Sequence, residues 1–294
     1  MPRSVLLLHN SDKPAVTAAL PEIRSLINKS GCIVAEMKAN GHPITPAQAN
    51  GADLIVVLGG DGTLMGESRR CVGLGLPMLG VNFGKFGFMA EFDLDALRTQ
   101  AASLFDGRPL TIQDRPMLRA EVAGAHNTAA LPVVETLALN DAVITAGPPY
   151  RMIAMSIRID GSQGPAIMGD GLIVSTPIGS TAYNASAGGP IVSPDLPAMI
   201  LTPIAAHSLS FRPVVVAAAS TIEISIDRAN DAPERGAGTS LVLDGQVTHL
   251  LGTGSRVVIR QHDRAVRFVR NPHGSYWSTL ISKMRWAAAP VDRV

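Results

Sequence analysis

Apolar and polar positions along the 294-residue chain follow two different rules. In the first third, short apolar runs alternate with stretches at helical spacing. Residues 5–8 read as a first strand, and residues 14–29 carry Val16, Ala19, Leu20, Ile23, Leu26 and Ile27 near a 3.6-residue period, with Gly31 as the stop. Ile33 and Val34 open a second strand, and residues 53–58 form a third whose unbroken apolar run over Leu54–Leu58 suits burial on both faces. Residues 63–72 read as a helix, 77–81 as a fourth strand, and 93–105 as a helix ending at Gly107. Strand and helix in alternation imply a parallel, Rossmann-like sheet with helices on its faces.

Past residue 108 the period changes to two. Ile153, Met155, Ile157 and Ile159 alternate with Ala154, Ser156, Arg158 and Asp160, and Ile222, Ile224 and Ile226 alternate with Glu223, Ser225 and Asp227. Gly and Pro punctuate these runs, the pattern of half-exposed sheets in a β-rich domain. Helical spacing returns over 276–286 with Leu280, Ile281 and Met284. The chain therefore divides into an α/β domain over 1–108, a β-rich domain over 109–270, and a C-terminal helix over 271–294 that packs on the first domain or on a neighbouring subunit. Residues 124–131 and 229–239 are the expected flexible loops.

Bulk composition narrows the classes. The chain is 46% hydrophobic and 17% charged, with a net charge of +1, so it is globular and carries no basic excess for nucleic acid or a membrane surface. No apolar run approaches the roughly 18 residues of a spanning helix. Cys32 and Cys71 form neither a metal pattern nor a disulfide framework and read as small core residues, which suits a cytoplasmic protein. His207 and His249 are isolated and read as core or loop histidines, so no metal site is predicted. Glu67, Arg69 and Arg70 read as a solvated helix face, with Arg69 within sequence reach of a phosphate.

The third strand runs into Gly59-Gly60-Asp61-Gly62-Thr63. Glycines there permit a sharp turn and close approach of the backbone to a ligand, and a helix starting near Thr63 offers free N–H groups to phosphate oxygens. The spacing is neither a dinucleotide fingerprint nor a Walker loop; by composition alone a tight turn is an equal reading. A carboxylate among phosphates is repulsive unless Asp61 binds a cation or takes a proton from an attacking hydroxyl, and both jobs belong to phosphoryl transfer to an alcohol. Farther on, residues 169–192 read GDGLIVSTPIGSTAYNASAGGPIV, which crowds the hydroxyls and amides of Ser175, Thr176, Ser180, Thr181, Tyr183, Asn184 and Ser186 into one loop. That density suits a polar ligand such as a nucleoside, the alternative being a Ser/Thr-rich turn.

The glycine loop resembles the signature shared by NAD kinases, diacylglycerol and sphingosine kinases and, more loosely, 6-phosphofructokinases. The second motif resembles GDG-x-x-x-STPTGSTAY of the NAD kinase family and is absent from the others. Leu139-Asn140-Asp141, His207-Ser208-Leu209-Ser210-Phe211-Arg212-Pro213, Asp244-Gly245-Gln246 and the set Asn82, Gly84, Gly87 and Phe88 match further family segments, so the resemblance spans residues 53–286. It implies an α/β domain followed by a β-rich domain. It also implies transfer of a phosphoryl group from ATP or polyphosphate to the adenosine ribose 2′-hydroxyl of NAD, help from Mg²⁺ or another divalent ion, and a homodimer or homotetramer. Asp61 is then the general base, Gly59, Gly60, Gly62 and Thr63 form the donor loop, and Asp61 and Gly62 also contact NAD. Asn140 and Asp141 meet the adenine or ribose end and Asp170 the nicotinamide side. Thr181, Ala182, Tyr183, Asn184, Ala185, Ser186 and Gln246 line the pocket. Arg151 is a candidate phosphate contact whose plainer reading is an exposed strand-end arginine.

Four positions depart from the family pattern: Asp141 for Glu, Ile178 for Thr, Met168 for a basic residue and Ala206 for Pro. They bear on affinity and on NAD against NADH, not on Asp61. Two rival readings are a lipid kinase, which the hydroxyl-rich 175–186 stretch disfavours, and a non-catalytic NAD(P)-binding regulator, which an intact Asp61 disfavours.

Overall fold

The computed structural model describes residues 1–39, 42–84, 87–124, 134–232 and 237–284. It separates into two units: residues 1–114 with 266–294, and residues 115–265. The division falls six residues beyond the expected 108 and returns before 270. In the first unit β1 (Ser4–His9), α1 (Pro14–Asn28), β2 (Cys32–Lys38), α2 (Pro46–Ala49), β3 (Leu54–Gly59), α3 (Asp61–Cys71), β4 (Pro77–Asn82), α4 (Leu94–Phe105) and β5 (Ile112–Arg115) follow in order.

The second unit comprises β6 (Leu118–Ala123), β7 (Val134–Ala138), β8 (Asp141–Thr145), β9 (Ile153–Ile159), β10 (Ser162–Gly169), β11 (Gly171–Ser175), α5 (Tyr183–Ser186), β12 (Ala198–Ile204), β13 (Val214–Ala217), β14 (Ile222–Arg228), β15 (Asp231–Ala232), β16 (Ala237–Gly238), β17 (Ser240–Leu243), β18 (Val247–Leu250) and β19 (Arg256–Gln261). The chain then re-enters the first unit as β20 (Val266–Val269) and α6 (Tyr276–Met284).

The first sheet has the order β2-β1-β3-β4-β20-β5, with β2, β1, β3, β4 and β20 parallel. Val5–Leu8 of β1 and Leu54–Leu58 of β3 are unbroken apolar runs because both faces of the sheet are covered. Val5, Leu7, Val56 and Leu58 join Val16, Ile23 and Ile27 of α1 and Leu97, Leu104 and Phe105 of α4 in one core. Leu64 of α3 packs over β4, where a Cβ at Gly80 would lie 2.7 Å from its Cδ2. β20 is invisible to local periodicity: it is a four-residue strand whose place is set by pairing with β4, far back in the chain.

The second unit has two six-stranded sheets, β10-β9-β14-β19-β6-β7 and β13-β12-β11-β8-β17-β18, and their described strand pairs are antiparallel. The period-two runs supply the shared core. Ile153, Met155 and Ile157 of β9 and Ile222, Ile224 and Ile226 of β14 face Ala142, Ile144, Leu172, Val174, Leu241 and Leu243. Residues 124–131 and 229–239 fall largely or partly outside the described residues.

Three readings need correction. Cys71 is a core residue, but Cys32 is exposed, because it opens β2 at the margin of the sheet. Glu67 and Arg70 are only 2% and 7% exposed. They pair with each other, and Arg70 also donates to the His42 carbonyl, so the segment before α2 covers a helix face that i,i+3 charges alone would leave in water. Burial raises the Glu67 pKa, with Arg70 opposing. Finally, α3 starts at Asp61, two residues earlier than the pattern indicates. No helix among the described residues is long and apolar enough to cross a membrane.

Candidate active site

Three loops meet at the carboxyl ends of β1, β3 and β4. Asn10, just past β1, donates its N–H to the Leu58 carbonyl (3.0 Å) and its side-chain amide to Thr63 Oγ1 (3.1 Å). Phe83, just past β4, donates its N–H to the Gly59 carbonyl (2.5 Å). The turn between β3 and α3 is drawn tight enough that a Cβ at Gly59 would lie 2.5 Å from Thr63 Cβ. Thr63 is thus a packing partner of the loop as well as a helix residue. In the order β2-β1-β3-β4 the crossover direction reverses between β1 and β3, and in parallel sheets ligands bind outside the strand ends at such a point.

Asp61 is the first residue of α3, with Gly60 extended before it. Its carboxylate accepts the Phe88 N–H at Oδ2 (2.7 Å) and the Ala90 N–H at Oδ1 (3.3 Å). Gly87 lies flat against it: a Cβ there would fall 1.8 Å from Oδ2. This explains how a carboxylate survives in a loop suited to anions. Two N–H donors and the positive end of α3 satisfy it, while a carboxylate with room for about four hydrogen bonds keeps acceptor capacity in reserve. Asp61 is half-buried, Gly62 exposed and Gly59 buried.

In the second unit the centre is Asp244, which no motif marked as structural. It sits at positive φ (50°) in the turn between β17 and β18. Its carboxylate accepts the N–H groups of Leu139 (3.0 Å), Asn140 (2.7 Å) and Asp141 (3.3 Å). From the other side Thr176 donates its hydroxyl to Leu139 O (2.6 Å) and its N–H to Asn140 O (2.8 Å), and Ser175 Oγ donates to Asn140 O (3.1 Å). Gly179 closes on the same backbone, since a Cβ there would lie 2.1 Å from Asn140 O. The segment Leu139-Asn140-Asp141 is therefore clamped from two sides. Asp141 is 5% exposed, and burial, reinforced by the neighbouring Asp244 charge, pushes its carboxyl up to about 7.

Much of the hydroxyl density serves this clamp and its surroundings. Ser175, Thr176 and Ser180 are buried, and Ser180 Oγ donates to Pro177 O (2.6 Å). Asn184, expected in the pocket lining, is fully buried: its amide donates to Ser180 O and Pro190 O and accepts from Thr202 Oγ1 (2.6 Å), so it holds the 178–190 turn together. Thr181, Ala182 and Ala185 are half-buried, and Asp170, Tyr183, Ser186 and Gln246 are exposed. Arg151 stands apart. It lies with Pro149, Met152, Arg228 and Asn230 around a cavity of about 510 Å³ that no other expected substrate residue lines. His207 is exposed and His249 half-buried on β18.

Family models for the ATP-NAD kinase N-terminal and C-terminal domains match residues 9–108 and 139–271. The NAD kinase of Cupriavidus pinatubonensis is 33% identical over 299 residues, covering 99% of this chain and 94% of that protein. The NAD kinase of Syntrophotalea carbinolica is 39% identical over 234 residues, covering 80% and 78%. Among solved structures, yeast NADH kinase complexed with NADH superposes with a TM-score of 0.83 at 24% identity, covering 100% of this chain and 90% of that one. An NAD kinase from Archaeoglobus fulgidus in complex with ATP gives 0.72 at 25% identity, covering 96% and 98%. Fold and site thus define a two-domain phosphotransferase. The chain belongs to the ATP-NAD kinase family.

Proposed function

We propose that this chain makes NADP by moving the terminal phosphoryl group of ATP to the adenosine ribose 2′-hydroxyl of NAD, with Asp61 as general base. Family membership supports the reaction, and the held carboxylate supports the role of Asp61. In the step, the 2′-oxygen forms a bond to the γ-phosphorus, the bond from that phosphorus to the β-bridging oxygen breaks, and ADP leaves with the electron pair. The 2′-hydroxyl proton passes to an Asp61 oxygen. A ribose hydroxyl is a poor nucleophile at neutral pH, and a positioned base contributes roughly 10² to 10⁴-fold.

NAD is read as bound by Asn140, Asp170, Thr181, Ala182, Tyr183, Ser186 and Gln246. The clamp on residues 139–141 gives Asn140 a fixed backbone from which to meet the nucleoside. Asp141 is buried, and Asn184 acts through the turn that it ties.

Among the described residues no group of three or more His, Cys, Asp or Glu could hold a metal. A Mg²⁺ ion therefore fits here as one carried on the donor phosphates, with Asp61 as the protein carboxylate within the loop. Bound there, the ion would neutralise charge on the transferring phosphoryl group. ATP is the preferred donor in this reading, supported by the ATP complex of the Archaeoglobus fulgidus relative, and polyphosphate is the alternative. A homodimer or homotetramer is proposed; α6 leaves Trp277 and Ile281 exposed beside buried Leu280.

The test is direct. Purified protein is incubated with NAD, Mg²⁺ and either ATP or polyphosphate, and NADP is read with an NADP-specific dehydrogenase. NADP with ATP is expected. NAD binding without NADP from either donor would return the chain to the non-catalytic reading.

A further inference from the structure

We infer that Lys13 is the cation that receives the terminal phosphates of the phosphoryl donor. The inference rests on reading the glycine loop as the donor site, and it names a residue outside every motif of the sequence. Lys13 precedes Pro14, the first residue of α1, at the end of the short turn that follows β1. That turn is a fixed object. Beyond the bonds of Asn10 to Leu58 and Thr63, the Asp12 N–H donates to Asn10 Oδ1 (3.1 Å) and the Lys13 N–H to Asn10 O (3.2 Å). Proline at the first helical position suits the start of α1 without needing a backbone donor.

The side chain of Lys13 does not follow α1. A Cβ built on Gly60 would lie 2.9 Å from Lys13 Nζ and 3.8 Å from Asn82 Oδ1, and one built on Gly84 would lie 3.4 Å and 3.6 Å from the same atoms. The ammonium therefore stands between the glycine loop and the exit of β4, at the reversal point of the sheet. A side chain at 60 would displace it, whereas one at 84 would meet it at ordinary contact distance. Lys13 is half-buried, and among the described residues its ammonium makes no ion pair and donates no hydrogen bond. The carboxylate of Asp61 is held by Phe88 and Ala90, so Lys13 is not its counter-ion.

A cation that pairs with none of the described residues, beside backbone stripped of side chains and the amino end of the eleven-residue α3, is matched by a ligand with several negative charges at close spacing. The phosphoanhydride tail of the donor has that chemistry. Dinucleotide NAD brings fewer charges and is read by other residues. Lys13 would bind the outer phosphates and draw the γ-phosphorus toward the alcohol beside Asp61.

The experiment compares wild type, K13M and K13R. Initial rates are taken against ATP at saturating NAD, and Mg-ATP and NAD affinities are each measured by calorimetry with the other substrate absent. K13M is expected to raise the ATP KM and weaken ATP binding roughly ten- to hundredfold, the scale of one charge-assisted contact. NAD affinity should stay within about twofold of wild type, and K13R should recover part of the loss. In wild type, ATP but not NAD should protect Lys13 from an amine-acylating reagent, read by mass spectrometry, and this arm decides if K13M does not fold. Folded K13M with wild-type ATP affinity, or acylation of Lys13 unaffected by ATP, would overturn the inference. ATP binding without NAD does not depend on Asp61 acting as base, so the two assignments fail separately.

Discussion

Replacing Gly87 by alanine should abolish most turnover without unfolding the protein. The added Cβ would fall 1.8 Å from Asp61 Oδ2 and 1.9 Å from Cγ and Oδ1. No shift of a few tenths of an ångström relieves such an overlap, so the carboxylate must rotate away from Phe88 and Ala90. Gly87 does not occupy the left-handed region, so its own backbone accepts alanine. The two hydrogen bonds lost are to a charged group, worth about 1.5–3 kcal/mol each, and water reaching a half-buried carboxylate restores part of that. A stability loss of about 2 kcal/mol is therefore expected. The rate effect is larger, because the displaced group is the proposed base and a base contributes roughly 10² to 10⁴-fold. NADP initial rates and thermal melts on wild type, G87A and the control G73A would measure both. A Cβ at Gly73 meets nothing within 4 Å, so G73A should match wild type. G87A with kcat within about twofold of wild type would refute the claim that the 87–90 segment positions Asp61.

Three further outcomes are expected. Glu67→Ala leaves Arg70 as a buried charge without its carboxylate and should cost about 3–5 kcal/mol in urea unfolding; an unchanged midpoint would mean that the pair is not buried in solution. Asp141 has a folded pKa raised from 3.8 to about 7, so its contribution to stability is full below the lower value and is lost as pH rises through the upper one. Asp141→Asn should therefore flatten the stability curve between those limits by up to about 1.4 kcal/mol per pH unit, and parallel curves for the two proteins would contradict the assignment. Asp244→Ala removes the acceptor of three backbone N–H groups; it should weaken NAD binding more than tenfold in calorimetry while leaving ATP binding near wild type, and wild-type NAD affinity would remove the clamp from the account.

Much of this was legible in the sequence where the physics is local. The unbroken apolar run of β3 announces a strand covered on both faces, and the alternation of β9 and β14 announces sheets with one face in a core. What was hidden depends on contacts between distant segments. Glu67 and Arg70 look solvated until the His42 segment covers them. That Ser175, Thr176 and Asn184 bond to backbone groups is visible only in the structure. Their polarity is the same in either use, so composition cannot separate a pocket from a clamp. Lys13 is the limiting case. An isolated lysine before a proline has no signature, and it gains meaning only when loops after β1, β3 and β4 converge.

The most direct test of the central claim is the turnover of Asp61→Asn, measured as NADP formed from NAD and Mg-ATP, with ATP and NAD affinities and the melting temperature taken on the same samples. The expected result is a folded protein that still binds both substrates, with kcat reduced at least about a hundredfold. A folded Asp61→Asn protein that forms NADP at the wild-type rate would contradict it.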